Sequence, residues 1–140
     1  MKKGKGFILF LITGFVFTAC RQNIDKDLIV GEWHYERVTT GGLLTRADTL
    51  AHVMSEMMYE GSTLIFYKND SFEMTNKDTT SDFQGKGFFE LDAANQTLTL
   101  ERGMKNGASD KMAVQVIELT KDSLKIGGPN EMMVYSRAKE

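Results

Sequence analysis

From residue 28 onward, apolar and polar side chains alternate in short runs broken by Gly, Asn, Asp or Ser. A period of two is the mark of strands with one buried face. The runs fall at 31–38 (GEWHYERV), 62–68 (STLIFYK), 71–76 (SFEMTN), 84–91 (QGKGFFEL), 96–102 (QTLTLER), 111–119 (KMAVQVIEL), 122–127 (DSLKIG) and 131–137 (EMMVYSR). Residues 46–60 (RADTLAHVMSEMMYE) differ. There Leu50, Val53, Met54, Met57 and Met58 recur at helical spacing, Thr45 or Asp48 offers an N-cap, and Gly61 stops the run. The pattern predicts eight strands with one helix between the first two.

The connections decide the architecture. Asn69-Asp70, Asp92-Ala93-Ala94-Asn95 and Thr120-Lys121 are tight, whereas the helix-bearing link, residues 77–83 and residues 103–110 are longer. An Asn106-Gly107 hairpin would shorten the last of these. In an up-and-down sheet alternate connections share an end, so the tight ones collect at one mouth and most of the long ones at the other. Gly128-Pro129-Asn130 is the departure from that rule. Eight antiparallel strands are also the number that closes with side chains or one small ligand in the middle. The expected fold is therefore all-β, an eight-stranded up-and-down antiparallel barrel with a tight foot and an open, lidded top.

In that layout the first strand starts at the foot and the last strand, its neighbour on closure, ends there. Trp33 and Arg137 should meet. An inward indole fills the taper, Gly31 lets the chain turn beneath it, and a guanidinium over the ring seals the end.

Composition refines this picture at the N-terminus. Lys2, Lys3 and Lys5 precede an apolar run from Phe7 to Phe17, the anatomy of an export signal. The run is too short for a membrane-spanning helix of about 20 residues. Phe17-Thr18-Ala19-Cys20 resembles a bacterial lipobox, with Phe17 where leucine is commonest. The resemblance implies cleavage before Cys20, acylation of that sole cysteine, and durable anchoring by its acyl chains. Residues 1–19 are then a signal peptide, 20–27 a lipidated cysteine and tether, and 28–140 the barrel domain. Loss of three lysines and no acid takes the net charge from −2 to −5. A mildly acidic domain without a basic stripe argues against a nucleic-acid partner. The expected location is the bacterial cell envelope, at the outer membrane.

Gly31-x-Trp33 at the start of the first strand, Arg137 near the C-terminus and eight strands between them resemble the lipocalins. The likeness is closest to the lipocalin-like domains of lipoproteins from Bacteroidetes-type bacteria, through "LIVGEWHYERV", "TLIFYKNDSFEM" and "VIELTKDSLKI…MMVYSR". It implies a lipocalin-like barrel that binds a small apolar or amphipathic molecule. The helix at 46–60 departs from the common lid loop of that family.

Strand period carries Tyr35 and Arg37 inward with Trp33, and Met133 and Tyr135 inward with Arg137. An arginine among tyrosines in an apolar barrel suits a carboxylate-bearing lipid. The competing arrangement has Arg37 at the rim, paired with Glu36, Glu60 or solvent. Met54, Met57 and Met58 form a greasy lid or plain helix packing. A Cu(I) site with His52 is the third reading, since thioethers suit that soft ion. Enzyme signatures are missing: the two histidines, His34 and His52, have no metal-ligand spacing, and there is no G-x-S-x-G, P-loop or HExxH. The expected site therefore comprises Tyr35, Arg37, Met54, Met57 and Tyr135, with Gly31, Trp33 and Arg137 as a structural plug and with no catalytic residue, metal or cofactor. The partners are the membrane, a small lipophilic ligand, or an envelope protein docking on the loops. The bulk of Trp33, Tyr35, Phe66, Phe72, Phe89 and Tyr135 pulls toward that last, filled-interior reading.

Replacing Cys20 by serine tests the anchor. Fractionation should find the variant released from membranes or unprocessed, and an acylated, membrane-bound variant would contradict the assignment.

Overall fold

The computed structural model describes residues 24–40, 54, 56–77, 84–103, 107–128 and 130–139. Cys20, the signal segment, His52, Pro129 and most of the 46–60 run lie outside the described residues. Eight strands follow a one-turn helix: α1 (Lys26–Ile29), β1 (Gly31–Thr40), β2 (Thr63–Phe66), β3 (Ser71–Thr75), β4 (Gly85–Asp92), β5 (Thr97–Gly103), β6 (Ser109–Leu119), β7 (Ser123–Gly127) and β8 (Glu131–Arg137). Each strand pairs antiparallel with the next, and β8 pairs back onto β1, so the sheet is a closed barrel in sequence order. Between β1 and β2, residues 54 and 56–59 are helical, and Gly61 at φ 73 ends the turn in the left-handed region.

Alternation builds the interior. Leu64 and Phe66 of β2, Phe72 and Met74 of β3, Leu98 and Leu100 of β5, and Leu124 and Ile126 of β7 are all buried in one cluster with Trp33. The tight turns at the foot are made by local polar chemistry. Asp70 takes φ 64 in the β2–β3 turn, where the Tyr67 N–H donates to Ser71 O at 2.9 Å. Asn95 donates twice to Asp92, from its backbone at 3.0 Å and from Nδ2 at 2.7 Å. Strand β2 ends two residues earlier than the sequence pattern runs because Tyr67 and Lys68 already belong to that turn.

The foot is sealed by side chains serving backbone acceptors. A helix leaves its last carbonyls without intrahelical partners, and α1 is so short that Leu28, Ile29 and Val30 all present theirs at the barrel end. Trp33 Nε1 donates to Ile29 O at 2.8 Å. Arg137 donates from Nη1 to Val30 O at 2.9 Å, from Nη2 to Leu28 O, and from Nε to Lys121 O in the β6–β7 turn. Its guanidinium carbon stands 4.3 Å from the Trp33 ring centroid, opposite the fully buried indole. Gly31 has φ +137, and a Cβ there would come within 2.3 Å of Arg137 Nη1, so backbone and space both demand glycine. Residues 24–27, which the sequence reads as tether, belong to this foot: Ile24 is buried in the core cluster and Asp25 caps α1 through the Asp27 N–H. Four residues are too few to display a helical period.

Two bulges break the ladder. One lies between Tyr35 and Arg37 against β8, the other between Val116 and Glu118 against β7. An extra residue reverses the facing of everything beyond it.

Trp33→Ala should destabilise the chain by about 3–5 kcal/mol, as truncation of a buried aromatic does. Urea denaturation measures this, and a wild-type midpoint would remove the plug.

Candidate functional site: the open end of the barrel

The first bulge redraws the site that strand period predicts. With Tyr35 and Arg37 offset by one residue, Val38 turns in opposite Met133, and Arg37 turns out. Arg37 is exposed and sits 3.9 Å from Glu36 at the rim, so it is not the interior cation. Tyr35 and Tyr135 stay inside as cross-strand partners, their rings 5.7 Å apart and edge-on at 78°. Met133 joins them and accepts from the Tyr135 hydroxyl through Sδ at 3.8 Å. The methionines of the helical turn do not line the interior. Met54 is 55% and Met57 74% exposed, and Met58 also faces solvent.

Another residue of that turn does reach in. Tyr59 stacks on Tyr35 at 6.1 Å between centroids. The turn is pinned to the barrel at two points: Glu56 Oε1 accepts from the Val38 N–H at 2.7 Å, and Asn76 Nδ2 donates to Met58 O at 2.9 Å. The Ser62 N–H then closes onto Tyr59 O at 2.8 Å. The helical face that meets the barrel thus carries Glu56 and Tyr59, because a carboxylate that satisfies a strand N–H and an aromatic that stacks outcompete flexible thioethers for those positions.

Among the described residues, Tyr59 borders two recesses at the open end. On one side a small cavity of about 120 Å³ has Phe72, Met74, Leu100 and Met112 as walls and the Arg102–Asp110 pair at its lip. That pair is made through one carboxylate oxygen, Nε at 3.2 Å and Nη2 at 3.0 Å. The other recess is wider, about 560 Å³, and includes Val114, Gly127, Glu131 and Met133. It opens sideways because β7 stops at Gly127, opposite Gln115, while β6 runs on upward to Ser109.

Carboxylates and part-buried phenols set the electrostatics at this end. Burial, followed by the Glu56 charge, pushes the Tyr35 phenol well above its ordinary range, and Glu131 adds to the shift. Tyr35 Oη is close enough to Glu56 to feel its charge, yet no hydrogen bond of sound geometry forms. Burial also raises Tyr59, with Glu131 reinforcing and Arg102 opposing, and it raises Tyr135, which Tyr59 pushes further. Tyr35 Oη, Ser62 Oγ and Glu131 Oε1 are buried with no hydrogen-bond partner among the described residues.

Tyr59, Arg102, Asp110, Glu56 and Glu131 are absent from the predicted site. Two of them were visible in the alternation. Arg102 continues the inward series of Leu98 and Leu100, and Glu131 that of Met133 and Tyr135. Among the described residues no cluster of His, Cys, Asp or Glu has the makings of a metal site, and His34 lies exposed on the outer face, 3.1 Å from Glu32.

No family model matches the chain, and no curated protein matches it. Solved structures do. A lipocalin-like protein from Bacteroides uniformis superposes with a TM-score of 0.54 at 13% identity, covering 79% of this chain and 99% of that one. An uncharacterized protein from Bacteroides eggerthii gives 0.53 at 13% identity over 78% and 98%. A DUF4847 family protein from Bacteroides vulgatus gives 0.52 at 10% identity over 81% and 96%. At such identities the likeness establishes the lipocalin-like barrel fold.

Tyrosines whose pKa is raised in the folded state keep protons that the unfolded chain releases. Their contribution is complete below the unfolded phenol value of about 10 and is lost as the pH rises above it. Denaturation midpoints at about pH 9 and about pH 11 should therefore fall more for the wild type than for Tyr135→Phe. Parallel losses in the two proteins would contradict the burial of that phenol.

Proposed function

We propose that this chain is a membrane-anchored, lipocalin-like lipoprotein of the bacterial cell envelope that binds a small apolar or amphipathic molecule in the open end of its barrel. It is a binding protein and performs no reaction. The observation that carries the reading is the unequal filling of the two ends. Trp33, Ile29, Phe66 and Leu124 pack the foot to completion, while a small recess with apolar walls and a wider one of mixed lining flank Tyr59 at the top. Sites for small molecules are concave, mostly apolar and furnished with a few polar groups, which describes the walls of Phe72, Leu100 and Met112 beneath the Arg102–Asp110 pair. The fold shared with a lipocalin-like protein supports the same class of function. The lipobox-like Phe17-Thr18-Ala19-Cys20 supports the anchor, which leaves the barrel free to present its top away from the lipid.

A second reading has its own support. The enclosed cavity is smaller than the roughly 300 Å³ usual for a ligand pocket. The outer face of β2–β4 exposes Phe88 at 69% beside Tyr67, above a shallow groove that includes Lys68, Glu73 and Lys86. An interaction module for an envelope protein would use such a face.

Titration of N-phenyl-1-naphthylamine separates the two. The carrier reading expects fluorescence enhancement that filling a recess, by Leu100→Trp in the small one or Val114→Trp in the wider one, weakens at least tenfold. Dye binding untouched by either substitution but lost in Phe88→Ser would place recognition on the outer face.

A further inference from the structure

The wider recess has a chemical bias within its mixed polar and apolar walls. Of the described side chains that line it, Glu131 is the only charged one, and Tyr59, Val114 and Met133 are among its neighbours. One carboxylate oxygen of Glu131 is buried and accepts no hydrogen bond from the described residues. A buried carboxylate oxygen is costly unless a cation or a donor meets it. The described residues around it supply neither. Arg102 is the interior guanidinium of this end, but it lies beyond Tyr59 with its charge matched by Asp110. Tyr35 Oη, a second buried oxygen without a well-formed hydrogen bond, stands within the field of Glu131 and Glu56 together. The unmet acceptor is thus a carboxylate oxygen, lined up in the same recess as the ring of Tyr59, which stacks on Tyr35 6.1 Å away.

We infer that the recess beside Glu131 and Tyr59 is a binding site for the ammonium group of a small organic amine whose apolar part lies against Val114 and Met133. This rests on the open end being the ligand site and specifies the sign of the ligand's charge. An ammonium has three donors and no acceptor, matching a site that holds an unmet carboxylate oxygen. Its positive charge compensates the buried, unpartnered oxygen of Glu131, and a tyrosine face attracts a cation through the ring quadrupole. A carboxylate ligand would meet Glu131 and Glu56 as like charges, and among the described residues the interior guanidinium, Arg102, is already engaged by Asp110. The sideways opening between β6 and the β7–β8 turn gives the amine a route that does not require the helical turn to move.

Three isosteric probes test the inference on the full chain in nanodiscs of zwitterionic lipid, with empty nanodiscs as blanks: 3-phenylpropylammonium, 3-phenylpropan-1-ol and 3-phenylpropanoate. Calorimetric titration should find the ammonium at least tenfold tighter than the alcohol, and the propanoate weakest. Glu131→Gln should bring the ammonium down to the level of the alcohol, while Glu90→Gln, the same loss of charge far from the recess, should leave the order intact. Should Glu131→Gln fail to fold, Tyr59→Leu serves, and it should weaken the ammonium more than the alcohol. An alcohol or propanoate that binds as tightly as the ammonium, or an ammonium preference that survives Glu131→Gln, overturns the charge assignment while leaving the open-end reading in place. Failure of all three probes to bind overturns both.

Discussion

The barrel depends on one buried exchange of donors for acceptors at its foot. A closed sheet has no edges, but it has two ends, and each must be covered without stranding backbone polar groups. Here the cover is a single helical turn whose trailing carbonyls would be orphaned against the core. Trp33 and Arg137 supply the donors, one from the first strand and one from the last. The same two side chains stack, so the hydrogen bonds and the cation–π contact fix the β1–β8 seam and the cap together. Gly31 is the geometric condition for it, since a side chain there would occupy the space of the guanidinium. The half-exposed Lys26–Asp70 pair at 2.7 Å ties α1 to the β2–β3 turn and contributes little by comparison.

With the foot closed by packing, the chemistry is left to the top. A bulge at 35–37 keeps Tyr35 inside, turns Arg37 out and brings Val38 in. The upper interior is consequently built from tyrosines and carboxylates with no arginine from β1. Tyr59, delivered by a helical turn that Glu56 pins to the Val38 N–H, borders both recesses. The early end of β7 leaves the wall open beside β6. Each of these features is a small irregularity in an otherwise regular ladder, and together they make the two ends of the barrel chemically unlike.

The regular parts of this design were legible in the sequence because their causes are local. A period of two, punctuated by Asn-Asp, Asp-Ala-Ala-Asn and Thr-Lys turns, placed all eight strands to within about two residues. Antiparallel order alone then brought Trp33 and Arg137 to one end. The irregular parts were not legible. Nothing in Tyr35-Glu36-Arg37 announces an extra residue, since the bulge is set by registry against β8, a strand nearly a hundred positions away. The turn Lys26–Ile29 is too brief to show a period, and so its first two residues read as tether. The methionine stripe at 54, 57 and 58 has the right spacing for burial. It is exposed because Glu56 and Tyr59 hold the barrel-facing positions. Arg102 and Glu131 stood in readable alternation, but charged residues next to a rim attract no attention until the rim proves to be a recess.

The most direct test of the central claim follows a single proton. The chain has one tryptophan, so its indole N–H is a unique nuclear magnetic resonance signal. If Trp33 Nε1 is held by Ile29 O beneath the Arg137 guanidinium, that proton should exchange with deuterium only through global unfolding, as slowly as the best-protected strand amides. An indole proton that exchanges within minutes while the barrel amides persist would contradict a foot sealed in this way.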